Sequence, residues 1–260
     1  MPRERAPILA SRAGRYTEAL PIARLLPHFQ CVWMSSVSPD HSGPAAVVPD
    51  GCVDLLWRDD RFTVVGPDIT AASPELGAGS NVLGIRFAPG AAARWLGRPL
   101  TEIVGQEVPM AEFWGSTADF IADRIAAASS ARDKACVLQE LLAAEAPKVE
   151  PTRQEAAMIF GFLGADGSAE GRKIMALREC LGGSERTLRR QCDELFGYGP
   201  KTLDRILRLQ RFQALAQIEA DEGLALLALR AGYADQAHLT REVQSLCGMT
   251  AGEFVHQLAA

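Results

Sequence analysis

Residues 184–216 read SERTLRRQCDELFGYGPKTLDRILRLQRFQALA, and residues 227–254 read LALRAGYADQAHLTREVQSLCGMTAGEF. The two stretches are degenerate copies of one pattern, offset by 51 residues. Leu188 matches Leu239, Arg190 matches Arg241, Cys192 matches Val243, Leu195 matches Leu246, Gly197 matches Gly248 and Leu203 matches Phe254. A repeated supersecondary unit accounts for such matches better than chance does. In each copy a helix is expected to close at a glycine, Gly182 or Gly232, because glycine tolerates the positive φ that ends a helix sharply. A polar N-cap, Ser184 or Asp235, then opens the next helix. That helix buries Leu188, Cys192 and Leu195 in the first copy, and Leu239, Val243 and Leu246 in the second. These i, i+4, i+7 positions form one inward stripe. The second helix stops at Gly197 or Gly248.

The pattern is therefore helix, tight turn, helix, written twice, and the outward face of each second helix is what a DNA major groove would meet. The first face offers Arg186, Arg189 and Arg190; the second offers Gln236, His238, Thr240 and Arg241. Arginine can bind guanine bidentately, glutamine can do the same to adenine, and arginine also suits phosphates. For His238 the alternative is packing at the helix start. Between the copies, Lys201–Ile218 reads as one long helix with Leu203, Ile206, Leu207, Phe212 and Leu215 inward. Arg205, Arg208 and Arg211 recur every three residues on another side and are expected to form a solvated face.

The remainder of the chain fits a second domain. With 260 residues, 48% hydrophobic and 23% charged, there is ample apolar material for a core. Residues 30–88 alternate short apolar runs (Gln30–Val37, Val47–Val48, Cys52–Arg58, Phe62–Val65, Val82–Phe87) with turn signals at Pro39-Asp40, Pro49-Asp50-Gly51, Asp59-Asp60, Gly66-Pro67 and Gly77–Gly79, the rhythm of strands joined by turns. Helices are expected at Ala91–Leu96, at Ala118–Ala128 with Ser116 as N-cap, at Ala131–Ala144 and at Ala156–Leu163, with a flexible break over 164–171. The expected fold is an α+β N-terminal domain, a small β-sheet or barrel plus helices, over residues 1–115. A helical connector follows at 116–168, and an all-α DNA-binding domain with two helix-turn-helix units at 169–260.

Net charge is −5, which argues mildly against nucleic acid, but residues 172–215 carry ten Lys+Arg against five Asp+Glu. A local basic patch is what DNA binding needs. The six cysteines form no CxxC pair and no metal-ligand spacing. No run approaches the ~18 apolar residues of a membrane span, and no apolar segment follows the arginines near the start, so a cytoplasmic protein is expected. No cofactor or metal site is expected, and the motifs of hydrolases, zinc proteases, dinucleotide enzymes and P-loop proteins are absent from the sequence.

Strand alternation places Cys52, Asp54 and Leu56 on one face and Val53, Leu55 and Trp57 on the other, with Gly84, Arg86 and Ala88 opposite Ile85 and Phe87. Two charges on apolar strands must pair or serve a ligand. Two readings stand: Asp54 and Arg86, with Cys52 and Trp57, line an effector pocket, or they make a structural ion pair with Cys52 as packing.

Residues 172–258 resemble the DNA-binding domain of AraC/XylS-type regulators, on the two stretches quoted first. The resemblance implies base-reading roles around Arg186, Arg189 and Arg190, and around Gln236, Ala237, Thr240 and Arg241, in two successive major grooves. It departs at Arg178, where the family has a small alanine between the first two helices, and at Ala251, where it has a proline. Residues 30–115 resemble the poorly characterised N-terminal domain of some of these regulators, through VPDGCVDLLW, VVGPD, LGIRFAPGAAARWLG and VPMAEFWG. The expected function is that of a sequence-specific transcription regulator and not an enzyme. Its expected partners are double-stranded DNA, RNA polymerase, a small-molecule effector and a second copy in a homodimer. The alternatives are a helical protein-interaction scaffold that has lost DNA binding, and an enzyme domain fused to a DNA-binding domain.

Overall fold

The computed structural model describes residues 7–41, 43–152, 154–165, 170–219 and 222–259. The strands are β1 (Ile8–Leu9), β2 (Gly14–Ala19), β3 (Phe29–Val37), β4 (Ala45–Ala46), β5 (Asp54–Arg58), β6 (Arg61–Val65), β7 (Asn81–Phe87) and β8 (Glu107–Pro109). The helices are α1 (Ala92–Leu96), α2 (Ala111–Trp114), α3 (Ser116–Ala126), α4 (Ala131–Glu145), α5 (Gln154–Gly164), α6 (Glu170–Leu181), α7 (Glu185–Phe196), α8 (Pro200–Ile218), α9 (Leu224–Ala231), α10 (Gln236–Cys247) and α11 (Ala251–Ala259).

Six strands form one antiparallel sheet in the order β2-β3-β7-β5-β6-β8. It is open, ending at β2 and β8, so of the two expected forms the sheet is found and not the barrel. The β5–β6 hairpin turns on Asp59 and Asp60, both at positive φ (50° and 56°). Two such residues in succession give the turn whose twist matches the flanking strands. One face of the sheet buries Val32, Leu55, Trp57, Val64, Leu83 and Ile85 against Ile121 and Ile125 of α3 and Leu138 and Leu142 of α4. Ser116 does not cap α3: only Gly115 separates α2 from α3, which leaves Ser116 inside the helix, while Ser130 caps α4 by accepting from the Asp133 amide. Part of the break expected over 164–171, residues 166–169, lies outside the described residues. No helix among the described residues is long and apolar enough to cross a membrane.

The C-terminal helices make two cores on one rod. Leu203, Ile206 and Leu207 of α8 are buried with α5, α6 and α7, and Leu209, Phe212 and Ala216 of α8 with α9, α10 and α11. The side of α8 expected to be solvated is instead largely an inner surface, with Arg205 at its half-exposed rim. Arg205 pairs with Glu242, Arg208 is 2% exposed and pairs with Asp204, and Arg211 donates to main-chain carbonyls of Leu163, Gly164 and Ala231. Helical units wrap the rod from both sides, so a face that would be solvated on an isolated helix is covered.

The N-terminal half seats on both units. The two-stranded parallel pair β1–β4 puts Leu9 and Ala46 into the second core, the Gln257 side chain bonds the Leu9 amide (2.6 Å) and the Pro7 carbonyl (3.2 Å), and the Ala71 amide donates to the Leu246 carbonyl (2.6 Å). On the first unit, Gly90 sits against α5 and α7 at φ +78°, where an added Cβ would lie 2.6 Å from the Ala156 Cβ and 3.3 Å from Leu195 Cδ2. We expect Gly90→Ala to lose about 2 kcal/mol through strain and overlap. For a chain of this size that lowers the midpoint of thermal unfolding by about 4–8 °C; an unchanged midpoint would contradict the close seat.

Candidate nucleic-acid interface

The first unit is α6–turn–α7. Gly182 (φ +66°) follows α6, and Ser184 opens α7 by accepting from the Thr187 amide at 3.1 Å. The second unit is α9–turn–α10. Gly232 (φ +93°) follows α9, and Asp235 opens α10 by accepting from the His238 amide at 2.6 Å. The expected inward stripes are buried in both: Leu188, Cys192 and Leu195, then Leu239, Val243 and Leu246. Gly197 and Gly248 close the second helices in the left-handed conformation.

Burying one stripe fixes what faces out. Arg186, Arg189 and Arg190 are exposed on α7, and Gln236, Ala237 and Arg241 on α10. Arg189 lies 3.8 Å from Asp193, a loose helical pair that leaves its guanidinium available. Thr240 is half-buried and its hydroxyl donates back to the Gln236 carbonyl at 2.9 Å. His238 is half-buried too. Its Nδ1 accepts from the Ala234 amide at 3.4 Å and its ring meets Tyr233 edge-on at 5.3 Å, so it closes the turn, the packing alternative. Each outward row starts at a helix N-terminus, where the peptide dipoles favour phosphate.

The two departures from the family pattern are absorbed. Arg178 is half-buried, its carbonyl accepts from the Gly183 amide at 3.3 Å, and Leu177, Leu188 and Cys192 are all buried. Ala251 is buried at the start of α11, where Thr250 and Glu253 supply a capping box: Glu253 accepts from the Thr250 amide at 2.8 Å, and Thr250 Oγ1 accepts from the Glu253 amide at 3.2 Å. Those bonds from Thr250 hold the Glu253 carboxyl below its ordinary pKa. The helix thus has a start signal without proline.

In the N-terminal half, Asp54 and Arg86 are opposite each other on β5 and β7 and form a forked pair at 3.2 and 3.3 Å. Asp50 closes on the same guanidinium at 3.1 Å, and the Trp33 indole donates to Asp54 at 2.9 Å. Burial pushes the Asp54 carboxyl up, against the pull of Arg86. Burial alone would lower Arg86, but Asp54 and Asp50 outweigh it and hold it charged. Cys52 lies beside this group, its thiol pushed well above the ordinary range by burial and then by Asp50. Trp57 is not with them: it faces the opposite side, in the core, with Lys134 5.7 Å from its ring centroid. A surface cavity of about 230 Å³ lined by Arg98, Glu102, Gln106, Glu112 and Phe113 touches none of the four candidate effector residues. A pocket of about 10 Å³ reaches Cys52 and has room for no more than a water. Asp50 and Trp33 are the partners that sequence reasoning missed. The signal for Asp50 was its place in the Pro-Asp-Gly turn just ahead of β5; Trp33 had none. Among the described residues no cluster of His, Cys, Asp and Glu could hold a metal ion.

These features define a helix-turn-helix protein. Residues 177–257 match the family described as a helix-turn-helix domain, and residues 17–109 match a domain of unknown function, DUF6597. The chain therefore carries an AraC-type helix-turn-helix domain behind that N-terminal domain, an arrangement that supports a DNA-binding transcription regulator. No curated protein matches the chain. Among solved structures, it is similar to an apo single-substitution variant of ToxT from Vibrio cholerae, at 10% identity over 87% of this chain and 97% of that one, with a TM-score of 0.50. A second structure of ToxT from Vibrio cholerae is 10% identical over 90% of this chain and 100% of that one, with a TM-score of 0.49. The first likeness shows a shared fold across both halves of the chain.

Asp68 carries a testable consequence. Burial, with Asp50 and Asp54 nearby, pushes its carboxyl up to about 6. A carboxyl raised above its unfolded value, about 3.9, destabilises the fold at pH above 6, and the penalty disappears as pH falls from 6 to 4. Asp68→Asn should therefore stabilise by about 1–2 kcal/mol at pH 7.5, after discounting for solvent screening, and by almost nothing at pH 4. Urea unfolding at the two pH values measures both.

Proposed function

We propose that the chain reads a two-part DNA site, with α7 and α10 in adjacent major grooves about 34 Å apart, one turn of the duplex. The observation that carries this is the equivalence of two outward rows, exposed Arg186-Arg189-Arg190 and exposed Gln236-Ala237-Arg241 with the half-buried Thr240 among them, on repeated units supported by a single helix. In this reading Arg190 and Arg241, at matched positions of the repeat, are the base-reading or phosphate-holding pair. The other exposed polar groups fix register on the backbone. His238 serves the turn.

The division at residues 1–115, 116–168 and 169–260 is kept as a functional one. The first part is the regulatory half, because its loops touch both units and a change in it alters how they are held. Asp54, Arg86, Asp50 and Trp33 satisfy one another, which supports the structural ion pair over an effector pocket built on Cys52, Asp54, Trp57 and Arg86.

The test is fluorescence anisotropy with DNA from the chain's own upstream region against scrambled DNA, over a range of salt concentrations. Selective binding that weakens steeply with salt is expected, since each neutralised phosphate adds about one unit to the slope. Arg190→Ala and Arg241→Ala should each weaken specific binding by about 10-fold or more. If both variants keep full affinity and specificity, the assignment of α7 and α10 fails.

A further inference from the structure

We propose that the polar residues along α8 act as a ruler: Arg205, Arg208 and Arg211 set the rotation between the two helix-turn-helix units, and thereby the number of base pairs the chain accepts between the two halves of its site. This rests on the two-groove reading above.

Hydrophobic burial holds each unit on α8, but burial is non-directional and roughly proportional to area. Close packing limits how far a unit can shift, but apolar contact alone does not select one angle about the rod. Angle is fixed by directional bonds, above all by those of charged groups. The rod carries such bonds to both units. From Arg205, Nε donates to both carboxylate oxygens of Glu242 at 3.1 and 3.0 Å, gripping the middle of α10. Arg211 reaches two elements at once. Its Nη1 donates to the Ala231 carbonyl at 2.6 Å, at the end of α9 in the second unit. Its Nη2 donates to the Leu163 and Gly164 carbonyls, each at 3.1 Å, at the end of α5 in the first unit's core.

A second route runs through the interior. Lys173 of α6 donates to the Leu163 carbonyl at 3.1 Å and lies 4.0 Å from Asp204; Asp204 pairs with Arg208; Arg208 lies over the ring of Tyr233 at 5.5 Å, in the turn of the second unit. Lys173, Asp204 and Arg208 are 4%, 1% and 2% exposed. Charges this deep are costly to desolvate, and apolar side chains of similar volume would pack the same space at least as stably. The best-attested use of buried polar groups is to fix register. Here the register is the angle between two DNA-reading helices.

The consequence is sharp because DNA is a screw. One inserted base pair moves the second half-site by about 3.4 Å and turns it by about 34–36°. A rigid pair of units cannot follow both changes, whereas a pair free to roll can.

The experiment selects a bound site from a random duplex pool with the full wild-type chain, then measures affinity for that site and for versions with one base pair inserted or removed between its halves. Wild type is expected to lose about 30-fold or more on either change, the scale of one or two lost base contacts. Arg211→Gln and Glu242→Gln are expected to cut that penalty to about 3-fold, while affinity for the original spacing changes less than about 5-fold. Glu242→Gln, at the half-exposed pair, keeps the test alive should Arg211→Gln fail to fold, and a thermal melt of each variant reports folding. A folded variant that rejects altered spacing as strongly as wild type overturns the ruler. A selected site with a single half overturns the two-groove reading itself, which separates the two failures.

Discussion

Leu203, Ile206 and Leu207 close one hydrophobic core, Leu209, Phe212 and Ala216 close another, and all six belong to α8. Neither helix-turn-helix unit owns a complete core without this helix. Packing at crystal-like density leaves little freedom to shift one core against a shared wall without disturbing the other. The loop that carries Pro49 and Gly51 is tied to the same rod, through a bond from Gln210 to the Pro49 carbonyl and through close packing against Leu203, with Phe160 of α5 beside it. The sheet, the two units and the ion pair of Asp54 with Arg86 are thus referred to one common element.

The parts legible in the sequence were those written in local chemistry. Glycine and N-cap punctuation placed both turns, and i, i+4, i+7 stripes predicted the buried sides of α7 and α10. Alternation placed β3, β5, β6 and β7 to within about two residues. β2 escaped because all six of its residues are exposed and no apolar alternation marks it, β1 because two residues carry no pattern, and the short strand expected at Val47–Val48 lies two residues earlier, at β4, with Val47 keeping only a bridge to Ala72. The arginines of α8 were misread for a different reason. A three-residue recurrence says that side chains share a face, but not what covers it, and the carbonyls that Arg211 bonds come from helix ends 20 and about 48 residues away.

The candidate sites divide in the same way. That Asp54 and Arg86 are paired followed from two charges on apolar strands; Trp57 was grouped with them although strand parity already put it on the other face, where the structure has it. Trp33 and Asp50 as partners depend on sheet order and on the path of a turn, which only the three-dimensional chain supplies. On α10, His238 and Arg241 look equally polar in the sequence, and what separates them is the ring of Tyr233 beneath one and solvent above the other.

The bonds from Gln257 to Pro7 and Leu9 join residues 250 and 248 positions apart. A ribosome adding about 5–20 residues per second delivers Leu9 roughly 12–50 s before Gln257 exists. Through that interval the first strand has β4 beside it but no helix to lie on, and the second core has an open side. The second core therefore closes only when a strand and a helix far apart in the chain meet.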